Sequence, residues 1–513
     1  MIVGKTASEI FDSIRHLVQS GALKPGDVLP PVRELAGKLS VNRNTVAAAY
    51  KRLVTSGLAI SQGRNGTAIK THNTLPALEG GDPSSPLKDI SSGNPDPARL
   101  ANLKHYLGAI APAPRLYGDA AVEPRLAAWA SRWVNNDVNL DADINLASGA
   151  VDALERLLCA LLLPGDSVAI EDPCFLSSIN MLRYAGFSPS PVPVDGEGMQ
   201  PEALEEALRN GARAVIITPR AHNPTGCSLS ESRARAIREI LARYPQVLVI
   251  VDDHFALLSA TPWYSPIAAE SQRWALVRSL SKTLGPDLRL AIVASDADTS
   301  AALRLRLNSG SQWVSHLLQD LVIACLNDNT FMASLAETRR HYRQQHEKLI
   351  AALASRGITH LTPGDGLNFW FPLEEPSQPV ALRLAHAGWL VREGETFGIR
   401  APSHGLRLSL ATLSDNEMNK LANDLYQILQ QQGRELTLCR STLSSMKSLK
   451  RRELTCTGRR RAATVSAGRG YTRGTGYRKT PTLLICWLCS AVRSRRARHY
   501  LSAPGLIATP SSV

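Results

Sequence analysis

Ser279-Leu-Ser-Lys-Thr-Leu-Gly-Pro-Asp-Leu-Arg289 is the stretch that decides how this chain is read. It follows an apolar, strand-like run, Trp274 to Val277, and within about one strand-to-helix turn it supplies two hydroxyls, an amine and a guanidinium. Such a set suits a phosphorylated aldehyde. Lys282 can form a Schiff base with the aldehyde carbon, while Ser279, Ser281 and Arg289 offer hydrogen bonds and charge to a phosphate.

Outward from this stretch, strand-like apolar runs alternate with amphipathic helices from Asp89 onward. The runs are Asp143 to Leu146, Val168 to Glu171, Ala214 to Thr218, Val247 to Val251, Trp274 to Val277 and Leu290 to Ala294. This is the pattern of an α/β fold, a mostly parallel sheet covered by helices. In such sheets ligands sit at the carboxyl ends of strands, which is where the informative residues fall. Ser148-Gly-Ala-Val151 opens a helix, so Gly149, Ala150 and Val151 present backbone N–H groups and a helix dipole to a phosphate. Glu171-Asp-Pro-Cys-Phe175 delivers a ring, Phe175, that can stack on a pyridine. Pro219-Arg-Ala-His-Asn-Pro-Thr-Gly226 follows the third run, and Val251-Asp-Asp-His254 places carboxylates after the fourth. Singly, Phe175 reads as core, Asn223-Pro as a turn and Asp252-Asp253 as a solvated strand end. Their joint order, each at a strand end and followed by Lys282, points to a cofactor site.

In this order the motifs resemble the fold-type I pyridoxal-phosphate enzymes, the aspartate aminotransferase superfamily. The resemblance implies pyridoxal 5'-phosphate on Lys282, with Asn223 bonded to the ring hydroxyl. It also implies that Asp252 pairs with the pyridine nitrogen and keeps it protonated, so that the ring acts as an electron sink. Arg407, in Leu406-Arg-Leu-Ser-Leu410, is implied to grip a substrate α-carboxylate with both prongs of its guanidinium. Tyr117-Gly118, ahead of the helix holding Arg125, resembles the segment that reaches a neighbouring subunit's phosphate, which implies a homodimer. Two positions depart from the family pattern. His254 stands where many members carry a tyrosine near the cofactor hydroxyl, and Ala120-Ala-Val-Glu123 replaces the usual proline and glycine.

The first seventy residues read differently. Ile10, Ile14, Leu17 and Val18 fall on one helix face that stops at Gly21. Lys24-Pro-Gly-Asp27 is a turn, Pro31 fits the first position of a second helix from Val32 to Leu39, and Asn42 fits the N-cap of a third through Leu53. Leu58-Ala-Ile60 and Thr67-Ala-Ile69 flank a basic tip, Ser61-Gln-Gly-Arg-Asn-Gly66, as a hairpin. Helix-turn-helix followed by wing resembles the GntR family of bacterial regulators, carried by Leu29-Pro-Pro-Val-Arg-Glu-Leu-Ala36, Asn42-Arg-Asn-Thr-Val46 and Gln62-Gly-Arg-Asn-Gly66. The resemblance implies DNA contacts from Arg33, Arg43, Asn44 and Thr45, with Arg64 and Asn65 on the wing. Ala47, Ala48 and Ala49 stand where many relatives carry another basic residue, which implies a small base-reading surface.

Residues 1–70 thus read as a winged helix-turn-helix, 71–88 as a flexible Pro/Gly/Ser/Asn-rich linker and 89–432 as an aminotransferase-like domain. Residues 433–513 form a basic tail. The chain's formal charge of +13 belongs to that tail, because Arg434 to Val513 carries 17 Lys and Arg against two acids, leaving 41 against 43 before it. The tail fits either a disordered nucleic-acid-binding arm or a stretch that is not a selected protein segment, such as a frame-shifted read-through. Four cysteines and an apolar Leu-Leu-Ile-Cys-Trp-Leu-Cys patch favour the second.

Cys159, Cys174, Cys227 and Cys325 show no metal-ligand spacing, Cys486-Trp-Leu-Cys489 is a C-x-x-C pair without a second pair or a strand-helix setting, and no secretory leader or run of roughly 20 apolar residues stands out, so a soluble protein in a reducing cytoplasm, with no metal and no membrane partner, is expected. The order of segments is that of the MocR subfamily of GntR regulators, for which a link to vitamin B6 is expected. The first expectation is a repressor that binds operator DNA as a homodimer and senses pyridoxal phosphate or its amino-acid adduct. The alternatives are an active aminotransferase with an accessory DNA-binding domain, and a DNA-binding repressor whose large domain is only a dimerisation scaffold.

Overall fold

The structure, a computed structural model, describes residues 1–56, 58–61, 66–69, 79–81, 84–400 and 402–431. At the N-terminus, α1 (Ala7–Gln19) begins where the Thr6 hydroxyl accepts the Glu9 N–H and buries Ile10, Phe11 and Ile14. Helix α2 (Val32–Leu39) starts with Pro31 at the N-cap, one position earlier than expected, and ends at Ser40 in the left-handed conformation. That reversal turns the chain into α3 (Arg43–Thr55), whose first turn is capped by Asn42 Oδ1 accepting the Asn44 N–H at 2.8 Å.

Strands β1 (Ala59–Ser61) and β2 (Thr67–Ile69) pair antiparallel with Ile60 opposite Ala68, and Val28 bridges to Ala68 from the other side. Ile14, Leu35, Val46, Leu53 and Ile69 close one small core. Tyr50 donates its hydroxyl to the Pro30 carbonyl at 2.7 Å, which pins α3 to the turn before α2. Arg33, Arg43 and Asn44 are exposed and Thr45 is half-buried. Of the three successive alanines, Ala49 is fully buried. Only Ala47 and Ala48 are at the surface. The wing tip, with Arg64 and Asn65, lies outside the described residues, as does the basic tail.

The large domain opens with β3 (Lys88–Asp89). Its main sheet contains β4 (Asp143–Ala147), β5 (Ser167–Asp172), β6 (Ser188–Asp195), β7 (Gly198–Met199), β8 (Ala214–Ile217), β9 (Leu248–Asp252), β10 (Trp274–Ser279) and β11 (Ala291–Ser295). The spatial order is β4-β11-β10-β9-β8-β5-β6-β7, and β11 runs antiparallel to both its neighbours. Strands β8, β9 and β10 are buried at every position, because helices cover both faces, and so they read as unbroken apolar runs.

Strand β6 escaped the sequence reading because it carries prolines at 189, 191 and 193. Alternate residues of a strand point their N–H groups to opposite edges. Ser188 donates to Asp166 on the β5 side, so the prolines place their missing donors on the other edge, where only the two-residue β7 pairs. A smaller unit follows the 26-residue helix Asn329–Ala354 and contains β12 (Asn368–Pro372), β13 (Trp389–Leu390), β14 (Arg392–Glu393) and β15 (Gly405–Ser409). Here β12, β15 and β14 form one sheet with Arg407 at its centre, opposite Trp370 and Arg392, and β13 pairs with β3. Among the described residues no helix is long and apolar enough to cross a membrane.

The cap at Asn42 makes a checkable prediction. Asn42→Ala should cost about 1 kcal/mol of local stability and speed amide exchange in α3 roughly fivefold, whereas Asn42→Asp, which keeps the acceptor, should not. Hydrogen-exchange mass spectrometry of the full chain reads both.

Candidate functional site

The ends of β5, β8 and β9 frame a narrow slot whose walls include Phe175, Asn223, Asp252 and His254, with Glu171 and Thr218 beside them. The two adjacent aspartates part ways here. Asp253 is fully buried and accepts Arg220 through two bonds, at 3.1 and 2.6 Å, and Arg278 at 3.1 Å. Asp252 faces the slot, and its Oδ1 is buried with no hydrogen-bond partner among the described residues. A buried carboxylate oxygen without a donor is costly, so this atom fits a cationic ring N–H placed in the slot. Burial, and then the charge of Asp253, push the Asp252 carboxyl up to about 7.

The other titratable groups around the slot also drift toward their neutral forms, burial being the first cause in each. Glu171 is pushed up to about 8 while its Oε1 accepts the Thr218 N–H at 2.9 Å. His222, 3.4 Å from Glu171, is pushed down to about 3, and His254 to about 4 with Lys282 as the next cause. His254 therefore presents a neutral imidazole at pH 7.

Lys282 lies in the short helix Ser281–Leu284 that follows β10, and its Nζ donates to the Gly93 carbonyl at 2.6 Å. Burial lowers its amine to about 8 against the opposing pull of Glu79, enlarging the neutral, nucleophilic fraction at pH 7. At one end of the site Gly149, at φ +99°, caps the helix Ala150–Leu161, which Val151 continues. The positive φ favours glycine there, and its bare Cα lets the Arg289 guanidinium approach closely, to 2.5 Å of where a Cβ would stand. Arg289 reaches the Ser148 carbonyl at 3.3 Å, and Ser279 Oγ accepts the Ser281 N–H at 3.3 Å. Hydroxyls, a guanidinium and a helix N-terminus thus lie around the turns that hold Lys282. This donor set suits a dianionic phosphate.

At the other end stands Arg407, fully buried on β15, with its guanidinium 5.0 Å from the centre of the Phe397 ring. It donates to Asn223 Oδ1 at 2.9 Å, to the Ser91 carbonyl at 2.6 Å, and to both carboxylate oxygens of Glu79 at 2.6 and 2.7 Å. Glu79 falls inside the stretch expected to be a flexible linker, and no motif marked it. The structure thus brings together Gly149, Phe175, Asn223, Asp252, His254, Lys282 and Arg407; it adds Glu171 and His222, which lie in the quoted motifs but were given no role, and Glu79 and Gly93, from segments without a recognisable signal. Tyr117 is different: it is 87% exposed, beside Trp313.

The family described as "Aminotransferase class I and II" matches residues 89–425, and "Bacterial regulatory proteins, gntR family" matches residues 6–69. The chain belongs to the GntR-type bacterial transcriptional regulators that carry a fold-type I aminotransferase domain, the MocR arrangement. It is 65% identical over 429 residues to the vitamin B6 salvage pathway transcriptional repressor PtsJ of Salmonella typhimurium, a match spanning 84% of this chain and 100% of that protein. It is 24% identical over 396 residues to the probable rhizopine catabolism regulatory protein MocR of Rhizobium meliloti, covering 68% of this chain and 77% of that one. In fold it resembles an archaeal alanine:glyoxylate aminotransferase with a TM-score of 0.61 at 20% identity, covering 68% of this chain and 92% of that chain.

The raised Asp252 has a thermodynamic consequence. Between its ordinary value near 4 and about 7 the folded chain holds a proton there that the unfolded chain has released, so this group's stabilisation is lost as pH rises through that window. Chemical denaturation of the ligand-free protein should show Asp252→Asn gaining stability relative to wild type from pH 4 to 7 and levelling off above it.

Proposed function

We propose that this protein is a repressor of vitamin B6 salvage that binds operator DNA as a dimer in the cytoplasm and takes pyridoxal 5'-phosphate as its effector. The observation that carries the reading is the 65% identity to a vitamin B6 salvage repressor over that protein's whole length. The slot supports it, because its orphaned Asp252 oxygen, stacking ring, amine and phosphate donors fit that cofactor's four functional parts.

Bound there, pyridoxal phosphate supplies an aldehyde for a covalent bond to an amine and a ring that withdraws electrons. The chain's own residues do the rest. Lys282 supplies the amine, Asp252 holds the proton at the ring nitrogen, Asn223 faces the ring hydroxyl, and Phe175 covers one ring face. Gly149, Ala150, Val151, Ser279, Ser281 and Arg289 receive the phosphate, completed by Tyr117 from the second subunit. The exposed start of α3 supports its placement against DNA, with Arg43 on base edges or phosphates and Arg33, Asn44, Thr45, Arg64 and Asn65 around it. The effector switches DNA binding only if it favours one arrangement of the dimer over another.

Two measurements test this reading. Lys282→Ala should abolish the absorbance band of the bound cofactor, and a wild-type protein without a lysine-dependent band would remove the cofactor from the proposal. Arg43→Ala should weaken binding to DNA upstream of the protein's own gene by about 1–3 kcal/mol in an electrophoretic shift at fixed salt. Rapid turnover of an amino acid with no DNA binding at moderate salt would leave the aminotransferase reading instead.

A further inference from the structure

Arg407 already binds a carboxylate, that of Glu79 on the same chain. Both Glu79 oxygens are engaged, at 2.6 and 2.7 Å, and Asn223 Nδ2 adds a third contact at 3.3 Å. The backbone that follows it is built to hold it there. Gly80 donates its N–H to the Ser92 carbonyl at 3.1 Å and accepts from Arg392 through its own carbonyl at 2.9 Å. Gly81 has no room for a side chain, since a Cβ would overlap the Asp89 carboxylate. Gly93, at φ +66°, leaves the space in which the Glu79 and Arg407 heads meet, a Cβ there coming within 3.0 and 3.1 Å of them. Burial pushes the Glu79 carboxyl up, but the hydrogen bonds and charge of Arg407, with Lys282 and Arg392 behind them, hold it below the usual carboxylate range.

We propose that Glu79 is a specificity-determining internal occupant of the Arg407 carboxylate seat. It discriminates against amino acids and other monocarboxylates, which enter only by displacing the Glu79–Gly81 segment. This deepens the preceding reading, since it concerns the same pocket and explains how a site furnished for transamination favours the cofactor as its ligand. Pyridoxal phosphate carries no carboxylate and has no need of the seat, whereas every α-amino acid does. A tethered carboxylate competes at an effective concentration of about millimolar. A free carboxylate must also offer Arg407 a replacement before the old partner leaves, because a buried guanidinium without a counter-charge is strongly unfavourable.

The test is calorimetric titration of propanoate, a carboxylate without an amine, into the full chain with and without pyridoxal phosphate. Glu79→Gln should bind propanoate roughly 10- to 100-fold more tightly than wild type under both conditions. Glu79→Asp, whose shortened side chain cannot keep the same two-pronged contact, should fall between. In the Arg407→Gln background, Glu79→Gln should bring no gain, which separates competition for the seat from general loosening of the pocket. Hydrogen exchange over residues 79–92 should rise when propanoate saturates the wild-type protein. Equal propanoate affinity in wild type, Glu79→Gln and Glu79→Asp, with thermal unfolding showing all three folded, would overturn the proposal. A gain in Glu79→Gln without any lysine-dependent cofactor band would uphold the proposal for Glu79 while removing the cofactor reading.

Discussion

The Asp253 carboxylate, with no exposed surface, holds Arg220 and Arg278 together, and the strand ends are organised around that pairing. Each partner is a near neighbour in sequence of a candidate site residue. Arg220 lies three positions before Asn223, Asp253 directly follows Asp252, and Arg278 lies four before Lys282. Arg278 also reaches Asp137 and packs its guanidinium 4.3 Å from the Trp133 ring centre, tying in the end of the helix Pro124–Asn135. Removing one partner from such a buried set costs about 3–5 kcal/mol, because the remaining charges lose their counter-ion in a medium that cannot solvate them. The network therefore ties together the three separate segments that carry Asn223, Asp252 and Lys282, and none of its own side chains lines the slot.

Within the slot the physics runs the other way. Burial acts on Asp252, Glu171, His222 and His254 alike, raising the acids to about 7 and 8 and lowering the bases to about 3 and 4, so these four groups are closest to neutral between about pH 4 and 7. Fixed charge is kept at the two ends, where Arg289 stands by the helix N-terminus at Gly149 and Arg407 is paired with Glu79. A ligand with an aromatic middle and a phosphate finds an apolar, weakly charged centre and one cationic terminus. The second terminus is already neutralised from within the chain.

The six strands read from apolar runs appear with ends shifted by a residue or two, since burial on both sheet faces leaves an uninterrupted hydrophobic record. β6 left none, because its alternate prolines mimic a loop until the neighbouring strand shows which edge needs donors. Three alanines in a row hide which one faces inward; the packing of α3 on Ile14 and Leu35 shows that it is Ala49. Glu79 was illegible for a different reason. It lies in a Pro/Gly/Ser-rich stretch whose composition describes local flexibility and says nothing of a partner 328 residues away.

The sequence by itself determined the two kinds of domain, the three N-terminal helices and the order in which Gly149, Phe175, Asn223, Asp252 and Lys282 arrive at strand ends. These follow from periodicity, caps and short motifs, which act between neighbours along the chain. Tertiary structure alone decided that Asp252 faces the slot while Asp253 is spent on two arginines, that His254 is neutral, and that a linker carboxylate sits on Arg407. Those outcomes depend on desolvation and on charges meeting across long stretches of chain, and only packing sets either.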